Sequence, residues 1–183
     1  MEEILPIYTE RLVLRDFVRE DIPAIVKIAI SPRFAGYRQF RPGHIIDDVN
    51  RFVDDAIKWK QPDAETDERE HWRLAVCLKS EGNPLIGYSC LWGWSGQKAS
   101  SPELGYFLDP VHQHRGYTTE ASEALIRLFQ ERNPQRPIFS MAHPANIPSQ
   151  NVLTRSGFKE TGTTVIDVQG RAEPRITFRL DPK

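Results

Sequence analysis

Hydrophobic residues recur along this chain at two spacings, and the alternation between them divides the sequence into elements. Ile22, Ile25, Val26 and Ala29 lie at the helical repeat, behind Asp21 as a candidate cap and Pro23 in the first turn, and Pro32 stops the run. Val49, Phe52, Val53, Ala56 and Ile57 repeat the stripe and predict a second helix that ends before Pro62. From Gly116 the spacing is helical again: Ala121, Ala124, Leu125, Leu128 and Phe129 share one face, Glu123 stands four residues before Arg127 on the other, and Asn133 with Pro134 ends the helix. A short helix over 148–156 is closed by Gly157.

The intervening apolar runs read as strands at 12–17, 72–78, 85–92, 103–108, 138–142, 158–168 and 175–180. Ser80, Glu81, Gly82, Asn83 and Pro84 are strong turn chemistry, so the runs on either side of them are antiparallel neighbours, and the last two runs pair as closing strands. The order is mixed α/β, with antiparallel hairpins and one strand-helix-strand crossover. Three stretches fit neither period: 31–43, rich in arginine and aromatics; the acidic 63–70, which reads as a solvated loop; and the polar 95–100.

Composition narrows the classes. A chain of 183 residues predicts one domain over 1–183. Hydrophobic residues at 39% against 27% charged set it apart from disordered chains. A net charge of −1 gives no bulk reason to expect nucleic acid. No apolar run approaches the roughly 20 residues of a membrane helix, and the acidic start at Met1, Glu2 and Glu3 lacks a signal-peptide core, so a cytoplasmic protein without membrane partners is expected. Cys77 and Cys90 sit inside strand runs without CxxC spacing and read as buried free thiols.

The segment Gln113, His114, Arg115, Gly116, Tyr117 and Thr118 carries the clearest chemistry, because it joins a strand to the N-terminus of an amphipathic helix. Unpaired N–H groups and the positive end of the helix dipole suit a phosphate there. Gly116 lets the main chain approach the anion, and Arg115 can add a charge-assisted contact. No GKS or GKT follows and no GxGxxG is present, which disfavours nucleotide hydrolysis and a dinucleotide fold.

This segment resembles the Q/R-x-x-G-x-G/A pyrophosphate loop of the GNAT acyltransferase superfamily, and 117–121 is close to its YATEA continuation. Three further segments match in order: Thr9 to Arg15 (TERLVLR), Glu103 to Leu108 (ELGYFL), and Asn146 to Ser149 leading to Ser156, Gly157 and Phe158. Together they span nearly the whole chain and are similar to the Rim-type branch, which includes ribosomal-protein N-terminal acetyltransferases and small-molecule acetyltransferases. The resemblance implies a mostly antiparallel twisted sheet of about seven strands flanked by about four helices, with the central strands 103–108 and 138–142 splayed. It implies acetyl-CoA as co-substrate, its pantetheine arm in the splay against the backbone of Tyr106, Phe107 and Leu108, its pyrophosphate on residues 113–118, and Asn146 and Ser149 near the sulfur. Two departures stand out: Thr118 replaces glycine or alanine, and no tyrosine follows Tyr117 to serve as thiolate donor.

Acyl transfer to an amine needs a neutral nucleophile and a proton for the departing thiolate. An α-amine titrates near about 8 and a lysine near about 10.4, so an α-amine needs less help from a base. Glu103 is the candidate base, through water, and Ser149 the candidate donor to the thiolate. Each has a plainer role open to it: Glu103 as a strand-edge charge in a salt bridge, Asn146 and Ser149 as helix caps, Tyr106 and Phe107 as ordinary strand residues. The oxyanion donor is a backbone N–H of the same strand.

Other classes fit less well. His112, His114 and His143 bring no third ligand at a recognised metal spacing, and no metal is expected; G-x-S-x-G is missing, so a serine hydrolase is disfavoured. Arg33, Phe34, Tyr37, Arg38, Phe40 and Arg41 could make a nucleic-acid surface, but an acceptor-site loop with partly buried rings is the preferred reading. The acceptor pocket is expected between the first two helices and 31–43, with Trp92 and Trp94 nearby. The main rival is a module of the same fold that holds an acyl-CoA or a partner chain without transferring anything; Glu103, Gly116, Asn146 and Ser149 argue against it. Expected partners are an amine-bearing acceptor, a protein N-terminus or a small molecule, and the chain can be monomer or homodimer.

Overall fold

Leu12 and Leu14 point to one face of their strand and Val13 to the other, and all three are buried. A strand buried on both faces belongs inside a sheet covered on both sides. The computed structural model describes residues 5–31, 40–41, 43–61, 69, 71–93, 102–168 and 170–182. Its elements are β1 (Ile7–Tyr8), β2 (Leu12–Asp16), α1 (Ile22–Ala29), α2 (Ile45–Trp59), β3 (Trp72–Leu78), β4 (Leu85–Gly93), β5 (Pro102–Leu108), α3 (Tyr117–Arg132), β6 (Ile138–Ala142), α4 (Ile147–Arg155), β7 (Lys159–Val168) and β8 (Arg171–Leu180).

The strands form one sheet in the order β1-β2-β3-β4-β5-β6-β8-β7. Every neighbouring pair is antiparallel except β5 and β6, which the α3 crossover makes parallel. The expected mixed, mostly antiparallel sheet with four helices is what forms; the additional strand is the two-residue β1, too short to leave an alternation in the sequence.

Two cores hold the layers together. Leu12, Leu14, Leu74, Leu91 and Leu104 pack with Leu125, Phe129 and Leu153 of α3 and α4 on one face. Val13, Ala75, Cys77, Tyr88, Cys90 and Phe107 pack with Ile25, Val49, Phe52 and Val53 of α1 and α2 on the other. Both cysteines are buried free thiols.

One detail of the helix starts differs from expectation. Asp21 precedes α1 but makes no side-chain cap; its carboxylate takes a two-pronged ion pair from Arg15, at 2.7 and 2.8 Å, and accepts from the Val18 N–H at 3.0 Å. A guanidinium fork competes for a carboxylate more strongly than a helix N–H does. Among the described residues, no helix is long and apolar enough to cross a membrane.

The readings placed on Arg33, Phe34, Tyr37, Arg38 and Trp94, and most of the acidic 63–70, lie outside the described residues. Of the aromatic-arginine stretch, Phe40 is buried edge-on against Phe52 and the partly exposed Arg41 is paired with Asp48.

Candidate active site

Strand β5 positions the site because its two edges are treated differently. Along β4 it is paired at every residue from Pro102 to Leu108, whereas toward β6 the register holds a single pair, Glu103 with Phe139. The Leu104 carbonyl accepts from the Ser140 hydroxyl at 2.9 Å, which closes the joint, and beyond that point the two strands part. Backbone direction alternates along a strand, so the N–H and C=O of Tyr106 are aimed into the gap, as the Leu104 carbonyl is. The gap opens into a cleft of about 940 Å³ that Tyr106, Phe107 and Leu108 line.

At the top of β5 the chain turns sharply into α3. Asp109 caps the turn by accepting from the Val111 N–H at 3.1 Å, and the Gln113 amide donates to the Leu108 carbonyl at 3.1 Å. His114 and Gly116 both adopt left-handed backbone, at φ 62° and 80°. Gly116 is the N-cap of α3, whose first N–H groups have no helical acceptor. Gln113, His114, Gly116, Tyr117 and Thr118 line the cleft; the Arg115 side chain is exposed and is not among the lining groups. The free main-chain N–H groups at the start of this sixteen-residue helix can receive an anion here.

Asn146 and Ser149 enter the same cleft from the start of α4. Asn146 is the N-cap, its side-chain oxygen accepting from the Ser149 N–H at 3.2 Å, so the capping role open to it in the sequence is present. Ser149 is held by a contact that the sequence did not suggest. The Tyr106 hydroxyl reaches across the gap, 3.0 Å from the Ser149 carbonyl and 3.0 Å from its Oγ. A tyrosine hydroxyl is therefore present beside Ser149, supplied by β5 instead of by a residue after Tyr117. Only the alternation of Leu104, Tyr106 and Leu108 hinted at its direction; its distance from Ser149 depends on where α4 docks.

On the opposite face of β5 lies Glu103. Burial pushes its carboxyl up to about 7, and among the described residues no cation is seen to pair with it. Trp92, opposite Glu103 in the β4 register, leans over Gly105 beside it. The edge-on pair Tyr88 and Phe107 stands behind, with ring centroids 4.7 Å apart, and the Arg175–Glu173 ion pair of β8 closes the wall. The cleft thus has a proton acceptor near neutrality on one face of the gap and two hydroxyls on the other. Residues 113–118 can hold a diphosphate, and the gap has room for an amide-bearing arm.

Comparison with known proteins agrees with this fold. The sequence profile of the acetyltransferase (GNAT) domain matches residues 11–159. The chain is 28% identical over 159 residues to YnaD of Bacillus subtilis (strain 168), described as an uncharacterized N-acetyltransferase, covering 85% of this chain and 84% of that protein. A solved acetyltransferase from Agrobacterium tumefaciens str. C58 superposes with TM-score 0.72 at 26% identity, covering 98% and 96% of the two chains. RimL, a ribosomal L7/L12 α-N-protein acetyltransferase solved in complex with coenzyme A, superposes with TM-score 0.79 at 18% identity over 98% of each chain, which is a likeness of fold.

Proposed function

This chain belongs to the GNAT acetyltransferase family and uses acetyl-CoA as its co-substrate, and on that premise we propose that it acetylates a primary amine by direct attack of the amine on the thioester. The acceptor class follows the Rim-type reading of the sequence: a protein N-terminal α-amine, with small-molecule amines as the second group to test. The observation that carries the proposal is the placement of Glu103 and of the Tyr106–Ser149 pair on opposite sides of the gap between β5 and β6.

In this reading the pyrophosphate lies on the N–H groups at Gly116, Tyr117 and Thr118, and the pantetheine arm runs along the β5 backbone at Tyr106 to Leu108. Glu103, ionised above about pH 7, takes the ammonium proton of the acceptor through water and leaves the amine its lone pair for attack. A main-chain N–H of β5 facing the gap stabilises the carbonyl oxygen as charge builds on it. As the carbon–sulfur bond breaks, Ser149 passes its hydroxyl proton to the sulfur while the proton that the attacking nitrogen sheds returns through water to the Ser149 oxygen, and Tyr106, hydrogen-bonded to that oxygen, steadies it. The C–N bond replaces the C–S bond, and the products are the amide and free coenzyme A.

Calorimetric titration of acetyl-CoA into the wild-type chain and into Gly116→Trp tests the site, and an acetylation screen of peptides with free or blocked N-termini beside small amines tests the acceptor. Saturable binding lost in the variant is expected, with transfer to free N-termini. No binding by the wild-type chain overturns the site, and transfer to small amines alone overturns the protein acceptor.

A further inference from the structure

The segment that carries Thr9 and Arg11 touches the proposed pyrophosphate loop, and the reaction as described above makes no use of it. Arg11 donates through Nε and Nη2 to Glu120 Oε2 at 2.7 and 2.6 Å, and its main-chain N–H donates to Oε1 at 2.9 Å. The Thr9 hydroxyl completes the ring at 2.6 Å from Oε1. Nη1 of the same arginine donates to the Arg115 carbonyl at 2.8 Å, and its guanidinium lies over the Tyr117 ring, 4.7 Å from the centroid. One side chain from the residue just before β2 thus binds the loop, the first residue of α3 and the acid in its first turn.

Two consequences follow from elementary geometry and charge. In a trans peptide the C=O and the next N–H point in opposite directions, so an Arg115 carbonyl turned toward Arg11 turns the N–H of Gly116, a residue that lines the cleft, away from Arg11. The second concerns Glu120, an anion in the first turn of the helix that has to receive another anion. Burial works to raise its carboxyl, but the hydrogen bonds from Thr9 and Arg11 outweigh that and hold it below the usual range, so it stays ionised. Left alone, that charge would repel a pyrophosphate; with Arg11 against it, the local charge is cancelled. Gly116 is close enough that a Cβ there would stand 3.3 Å from Nη2.

We propose that Arg11 is a positioning residue for the coenzyme site: it sets the Arg115–Gly116 peptide so that its N–H faces the pyrophosphate, and it neutralises Glu120 so that the helix N-terminus accepts an anion. The role rests on the pyrophosphate reading of residues 113–118. Arg11 itself need not touch the coenzyme.

The test titrates coenzyme A and pantetheine, which lacks the pyrophosphate, into the wild-type chain, Arg11→Ala, Arg11→Lys, Arg11→Ala/Glu120→Gln and Gly116→Trp, with an unliganded melting temperature for each. Arg11→Ala is expected to lower the ratio of coenzyme A to pantetheine affinity about tenfold. Arg11→Lys keeps a charge opposite Glu120 but lacks the fork that reaches Arg115, so its ratio falls between the two. The double variant regains part of the loss, because the uncompensated carboxylate is gone. A purely architectural arginine would lower the melting temperature and both affinities together; an unchanged ratio overturns the proposal. Gly116→Trp separates the two readings. If it abolishes coenzyme A binding while Arg11→Ala stays within about twofold of wild type, the loop reading stands and the role of Arg11 falls; if Gly116→Trp binds like wild type, the loop reading falls first and takes the role of Arg11 with it. Should Arg11→Ala fail to fold, Arg11→Lys carries the same comparison.

Discussion

The indole of Trp92 rests on the α-carbon of Gly105, its six-membered ring filling the space that a methyl group on that glycine would need. In the β4–β5 ladder Trp92 stands opposite Glu103, so the ring crosses the strand diagonally and roofs the residue beside the proposed base. Gly105→Ala is expected to displace the indole and to cost about 1–3 kcal/mol by overpacking. Because Trp92 lies on the α1 and α2 side of the sheet, the acceptor KM should rise more than the coenzyme A Kd; an equal rise in both would place the indole elsewhere in the mechanism.

A carboxyl that burial raises to about 7 has to be ionised to act as a base, so kcat/KM should climb as pH rises through that value. Glu103→Gln should remove this limb and lower kcat about a hundredfold. Turnover within about twofold of wild type, a barrier change of about 0.4 kcal/mol, would dismiss the assignment.

The same carboxyl makes a signed prediction for stability. Folded, it keeps its proton up to about 7; unfolded, it releases it near 4.5. Between those values the native state binds more protons, and stability contributed by this group falls as pH rises across that window. Thermal melts of wild type and Glu103→Gln should therefore diverge from pH 4.5 to 7, with the variant the more stable at the upper end.

Ser149→Ala should lower kcat while leaving the coenzyme A Kd nearly unchanged. Tyr106→Phe should lower kcat less, and it should cost about 1 kcal/mol of stability because a hydroxyl bridging β5 to α4 is lost. If both variants turn over within about twofold of wild type, the thiolate takes its proton from another source.

Asp21 is buried beneath the Arg15 fork. Asp21→Ala leaves that guanidinium without its partner and should cost about 3 kcal/mol, read as a shift in the denaturation midpoint with an unchanged slope. A cost under about 0.5 kcal/mol would mark the pair as surface-like.

Residues whose role is set by neighbours in the chain were legible without a structure. The stripes at Val49 to Ile57 and Ala121 to Phe129 became α2 and α3, and the turn at 80–84 joins antiparallel β3 and β4, because periodicity and turn chemistry act over a few residues. Contacts made over long separations were not. Nothing near Tyr106 reveals that α4 will bring Ser149 within 3.0 Å, and nothing near Arg11 reveals Glu120. Asp21 carried a sound local signal for a cap, and a partner six residues away claimed it. The Arg115 side chain is exposed on the turn through His114 and Gly116, a direction that its charge alone does not set.

The parting of β5 and β6 has a thermodynamic side. A sheet interrupted after one residue pair forgoes ladder bonds, and in the binding mode proposed above the amides of the arm would take the place of a missing strand. Any ligand that binds only the native state adds to its stability, by about 2.7 kcal/mol at about a hundred times its Kd. If the coenzyme binds as proposed, acetyl-CoA should therefore raise the melting temperature of the wild-type chain and slow its proteolysis.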